Sequence, residues 1–187
     1  MTGARGPAAH DVEPEAEAVA PTLEPTAWVA YVQGADTVDT LTALTSVFST
    51  RGVSFDSLTT GAGGPDGLIV VTFTASDRRT RLLARTVERL AAVRGVVVRR
   101  ADDPDVRAAG VVHLPQGLTD AAAIRSGDDA DGEVRWSGDG ADGHAVLVEG
   151  PLRAVERALA AARARGAVAV ATTLLPPPAS AFGTGPG

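Results

Sequence analysis

Residues 36–58, DTVDTLTALTSVFSTRGVSFDSL, decide the fold. Val38, Leu41, Leu44, Val47 and Phe48 recur at spacings of three and four, so they share one face of a helix. Asp36 or Thr37 can serve as its N-cap, and Gly52 stands where a helix closes on a left-handed residue. Val53–Thr59 then reads as a strand. Before the helix, WVAYVQ (28–33) is a short β-type run. Beyond the strand, GAGGPDG (61–67) is a turn cluster leading into a third strand, LIVVTFT (68–74). Ser76 or Asp77 caps a second helix, with Leu83, Val87 and Leu90 on its buried face and Gly95 just past its end. Val96–Arg99 is a fourth strand. The order β-α-β-β-α-β predicts an α+β, ferredoxin-like unit with both helices on one face of an antiparallel sheet.

ADDPD (101–105) breaks the pattern. After it come a strand at Gly110–Leu114, a short helical stretch at Leu118–Arg125 and the polar loop SGDDADGE. Glu133–Trp136 and His144–Glu149 read as a hairpin around GDGADG. Pro151 opens the helix LRAVERALAAARARG, in which Leu152, Val155 and Leu159 form a core stripe. Gly166 ends it, and Ala167–Leu174 is a closing strand. The same element order recurs, so two ferredoxin-like domains in tandem are expected, at 27–101 and 106–175. Residues 1–26 hold Pro7, Pro14, Pro21 and Pro25 without periodicity, and 176–187 read PPPASAFGTGPG; both are expected to be disordered tails.

Composition removes most catalytic chemistry. The 187 residues include no cysteine, which excludes disulfides, thiolate nucleophiles and thiolate metal sites. All 17 basic residues are Arg, so there is no Schiff-base, P-loop or general-base lysine. Asparagine is absent too. Of the formal charge of −6, a net −4 lies in residues 1–26, where Asp11, Glu13, Glu15, Glu17 and Glu24 face only Arg5. The remaining body is close to neutral and does not suggest a nucleic-acid track. No apolar run approaches the roughly 20 residues of a membrane helix, and the N-terminus is unlike a secretory signal, so a soluble cytoplasmic protein is expected.

The run ending in VFSTRG, followed by a short strand and SL, resembles the opening of an ACT domain, and residues 28–100 follow that domain in element order and spacing. His144–Thr173, HAVLVEGPLRAVERALAAARARGAVAVATT, resembles the C-terminal domain of the acetolactate synthase small subunit, where a strand ending in Gly also leads to a long helix, a Gly and a last strand. The resemblance implies a non-catalytic regulatory subunit of branched-chain amino acid biosynthesis. Such a subunit docks on a thiamine-dependent catalytic chain, raises its activity and confers feedback inhibition by valine or a related amino acid. It implies a homodimer through the ACT domains, an effector held between two of them at the loop before the first helix, and no cofactor of its own. The physics fits, because a helix N-terminus offers free N–H groups and a positive dipole end to a carboxylate.

Carried onto this chain, the implied ligand positions are Asp36, Val38, Asp39, Thr40, Leu41 and Ser54. Where the family reads Asn-x-Pro-Gly-Val-Leu, this sequence has Asp36-Thr-Val-Asp39-Thr-Leu41. Asp36 can still pair with a ligand ammonium. Asp39 replaces the Gly whose bare backbone admits the carboxylate, and its charge would occupy the amides and repel an anion. Ser54 also stands where the family has Asn. These departures imply valine sensing that is weakened, altered or lost. They also leave an alternative open: a free-standing ACT-type sensor or scaffold that no longer serves the synthase.

Plainer readings stand beside each motif. Asp36 and Asp39 also fit an N-cap and a first-turn acid stabilised by the helix dipole. GAGGPDG lacks the Lys-Ser/Thr of a phosphate loop and joins two strands, so it reads as a hairpin turn. The acidic loops at Asp128–Asp131 and Asp139–Asp142 lack the spacing and closing Glu of an EF-hand. His10, His113 and His144 have no paired ligand spacing, so no metal site is expected. Arg78, Arg79, Arg81, Arg99 and Arg100 read as a solvated face or a partner contact. Trp136 reads as an anchor of the second core or of an interface. Acylphosphatase-type catalysis on this fold needs an Asn, which is missing. RNA-recognition modules stack bases on paired aromatics, whereas Phe73 stands alone on its strand.

Overall fold

The computed structural model describes residues 24–34, 37–61, 67–114, 133–138 and 145–182. The expected helix at Leu118–Arg125, residues 62–66 of the first hairpin turn, most of the GDGADG turn and the greater part of the N-terminal tail lie outside them.

Strand β1 (Thr26–Gly34) is the centre of the first sheet, flanked by β3 (Gly67–Ala75) and β4 (Val93–Arg100), with β2 (Phe55–Gly61) on the edge beyond β3. Every pairing is antiparallel. Alternate residues of β1 and β3 serve two cores, as the period of two requires. Ala30, Val32, Ile69, Val71 and Phe73 meet Leu44 and Phe48 of α1 (Thr37–Thr50) and Leu83 and Val87 of α2 (Asp77–Val87). Phe48 is the hub: its ring lies 4.5 Å from that of Phe55 and 5.2 Å from that of Phe73, edge-on to the latter at 88°. Val29, Tyr31, Leu68 and Val70 face the other way and join the apolar cluster of the second unit.

Gly52 closes α1 as expected, at φ +62. The Val53 N–H reaches Phe48 O at 3.0 Å and the Gly52 N–H reaches Ser49 O at 3.0 Å, the paired bonds of a Schellman end. The same two bonds recur at the other long helix, α3 (Leu152–Ala164), around Gly166 at φ +97.

The second sheet is built from β5 (Arg107–His113), β6 (Arg135–Ser137), β7 (Ala145–Pro151) and β8 (Ala169–Leu174), in the order β6-β7-β5-β8. This is the β2-β3-β1-β4 permutation of the first sheet over again. The chain is therefore two ferredoxin-like α+β units in tandem. Leu152, Val155, Ala158, Leu159 and Ala162 of α3 form its buried stripe, and Trp136 is partly buried against the same cluster.

Two details differ from the sequence expectation, and the expected break gains a structure. Gly95 does not follow a helix end: α2 stops at Val87, a turn follows, and Gly95 pairs with Gln33 inside β4. Its lack of a side chain serves packing, since a Cβ there would lie 3.2 Å from the Phe182 ring. Phe182 belongs to the stretch expected to be disordered from residue 176. Instead the chain runs on from β8, with the Leu175 N–H on Arg107 O at 2.9 Å, and a 3-10 turn at Ala179–Phe182 lays the ring on β4. The break at 101–105 is a locked corner. Ala101 and Val106 are buried, Arg99 contacts Asp103 at 3.1 Å and Asp105 at 3.4 Å, and Arg100 forks onto Asp102 with two 3.0 Å bonds. Arg99 and Arg100 are thus engaged within the chain.

Candidate functional site

The loop between β1 and α1 is the candidate ligand site. Its floor is set by a close approach: a Cβ on Gly34 would fall 2.8 Å from both Cβ and Cγ2 of Thr40, so only glycine fits at the end of β1. Thr40 is fully buried, and its hydroxyl donates to the carbonyl of Ala92 at 3.1 Å. That bond ties the first turn of α1 to the turn between α2 and β4. Leu41 packs against the helix-side core. Thr40 and Leu41 therefore anchor the first turn of α1 from beneath.

Val38 and Asp39 face outward at the start of α1, Val38 with 71% of its surface exposed. Asp39 lies in the first turn, where the positive end of the helix dipole favours a carboxylate. Asp36 lies outside the described residues. Ser54 is exposed, but the strand register puts it far from the loop. Gly61 pairs with Leu68 next to Gly34↔Gly67, whereas Phe55 pairs with Phe73 beside Trp28. Ser54 and the loop thus mark opposite ends of one sheet, roughly 20 Å apart at about 3.4 Å per residue. Of the six positions, the structure brings four together at the helix start, two of them inward-facing, and leaves Ser54 at the other end.

Two further concavities lie away from the start of α1. One is a cleft of about 420 Å³ between the units, where β2 and β3 of the first sheet face the start of α3 and the end of β8. Its polar groups largely satisfy one another: Ser57 and Thr72 hydroxyls at 2.7 Å, Arg153 on Glu156 at 2.8 Å, and the nearby Thr74 hydroxyl on Asp56 at 2.9 Å. The second, of about 670 Å³, lies where α1 ends and α2 begins and is lined by Arg51, Arg78 and Arg79. The signal for it was the Arg78–Arg79 pair at a helix start. Among the described residues, no three His, Asp or Glu side chains are grouped to hold a metal ion, and no helix is long and apolar enough to cross a membrane.

No family model matches the chain, and no curated protein matches it. Solved structures do. The small subunit of acetolactate synthase from Thermotoga maritima superposes with a TM-score of 0.55 at 13% identity, over 80% of this chain and 94% of its own. The two share a fold, ferredoxin-like α+β units in tandem. At 13% identity the likeness establishes that and nothing finer. The ligand-free regulatory subunit of aspartate kinase from Thermus thermophilus, at 18% identity, covers 79% of this chain and 96% of its own with a TM-score of 0.41, which adds no weight. The alignment to the small subunit takes in both ferredoxin-like units, so the tandem arrangement is shared as well as the single fold.

Proposed function

We propose that this chain is a non-catalytic regulatory subunit of acetolactate synthase: it binds and activates the catalytic chain, and its own response to valine is weakened or lost. The observation that carries the reading is the superposition of both units, in order, on an acetolactate synthase small subunit over nearly its whole length. The sequence resemblance at residues 28–100 and 144–173 points the same way.

The loop supports the second half of the proposal. Val38 stands exposed where an aliphatic effector would meet the helix, but Asp39 places a negative charge at the same opening. At an effective dielectric near 20, two like charges about 5 Å apart repel by roughly 3 kcal/mol before screening. An effector contacting both the loop and Ser54 requires two copies, since one chain holds them at opposite ends. Antiparallel pairing of the exposed β2 edges about a two-fold axis would set the Ser54 end of one copy beside the loop end of the other.

Co-elution of this chain with the catalytic chain of the same host on size exclusion tests the assignment. A stable complex is expected, and two separate peaks would contradict it. The charge at Asp39 also favours a second reading, an ACT-type sensor detached from the synthase. That reading predicts the separate peaks together with a homodimer.

A further inference from the structure

The outer side of α2 carries a row of side chains that the fold leaves unused. Thr80, Leu83 and Val87 turn into the core. Arg78, Leu82, Arg85 and Arg89 follow one another at spacings of four, three and four, so they line the opposite side of the helix and of the turn that extends it. All four are exposed. Leu82 is one of three large apolar side chains in that state among the described residues, with 44% of its surface open. Arg79 and Arg81 flank the row, and none of these five arginines makes an ion pair among the described residues.

Neighbouring charges do not cancel the row. Asp77 and Glu88 belong to α2 and its end, Glu24 and Asp56 lie by its start, and Asp39 opens α1, which packs on it. Against these five described acids stand seven arginines, Arg51, Arg78, Arg79, Arg81, Arg85, Arg89 and Arg94, while Arg99 and Arg100 are paired with the acids of the corner. The row also stays open in a homodimer: α2 packs on α1 and β4, and β4 is the edge strand opposite β2. Its make-up suits a protein. An exposed leucine gives an apolar centre, and arginine forks around it take carboxylates bidentately. Nucleic acid suits it less, because the chain totals −6 and α2 has no aromatic on which a base could stack. We propose that the Arg78–Leu82–Arg85–Arg89 face is the surface that docks on the catalytic chain, against an acidic patch whose carboxylates are spaced about one helical turn apart around an apolar contact for Leu82. This contact rests on the assignment to acetolactate synthase and names the face that serves it.

Calorimetric titration of the full chain into the host's catalytic chain tests it with two variants, one carrying Arg78→Gln, Arg85→Gln and Arg89→Gln together, the other Leu82→Ser. Glutamine keeps the helix propensity of arginine, and an unchanged thermal midpoint verifies the fold of each variant. Each variant should bind roughly tenfold or more weakly than the parent chain. The parent should also weaken as salt rises from about 0.1 M to about 0.5 M, where the screening length has shrunk. Arg163→Gln with Arg165→Gln, on exposed arginines at the end of α3, should leave the affinity unchanged. A triple variant that binds as tightly as the parent would overturn the docking face and leave the synthase assignment standing, as would an equal loss in the α3 control. A parent chain that does not bind would overturn both. Binding of a short DNA duplex, lost in the triple variant while the catalytic chain is still bound, would give the row to nucleic acid instead.

Discussion

Asp39 gains from the dipole at the start of α1, so it suits the free helix while opposing an anionic effector. Asp39→Gly should raise valine affinity at least tenfold in calorimetry, equivalent to about 1.4 kcal/mol, at a small cost in helix stability. Equal affinity in the two proteins would remove Asp39 from the account. Tyr31 is almost wholly buried. Burial pushes its hydroxyl above the ordinary value of 10.0, and nearby Arg99 partly opposes that shift. A folded value raised above the unfolded one means that the unfolded chain loses this proton first as pH climbs. Stability is therefore complete below about pH 10 and declines above it. The chain has one tyrosine, so absorbance near 295 nm reports it directly. The folded protein should titrate later than the same chain in denaturant, and Tyr31→Phe should flatten the alkaline loss of stability. Coincident titrations would contradict the burial.

The elements follow the sequence where local rules govern and depart from it where distant chain decides. Leu44 and Phe48 fall on one helix face by spacing alone, and Gly52 ends that helix by backbone geometry alone, so both could be read from the residues. Phe48→Ala should cost about 3–5 kcal/mol in denaturant unfolding, because it empties the centre of an aromatic trio. Gly95 looked like a helix stop because no local signal tells a C-terminal glycine from one emptied for packing, and the packing partner lies 87 residues away. For the same reason PPPASAF looked like tail composition, although Phe182 has a seat on β4. Phe182→Ala should lower stability by about 1–2 kcal/mol, the share of a half-buried ring. No loss would show that the turn rests on β4 without holding it. At the candidate site, the loop sequence marked the start of α1, but it could not reveal that Thr40 spends its hydroxyl on Ala92 or that Ser54 sits at the far end of the sheet. Both depend on strand order and register, which no single segment encodes.

The whole molecule is two copies of one topology joined by a short, ion-paired corner, with the outer face of the first sheet sharing an apolar cluster with the second unit. That sharing leaves the helix side and the β2 edge as surfaces of the first unit for other chains. β2 is mostly exposed along its length, and an unpaired edge of this kind invites a second copy. Thr60→Lys on that edge should turn a homodimer into a monomer in sedimentation without unfolding it. A dimer that persists would move the interface elsewhere. The partnership with acetolactate synthase is tested most directly by the rate of acetolactate formation by the host's catalytic chain, with and without this protein, across a valine titration. A higher rate that millimolar valine leaves largely intact is expected. An unchanged rate at saturating amounts of this chain would contradict it.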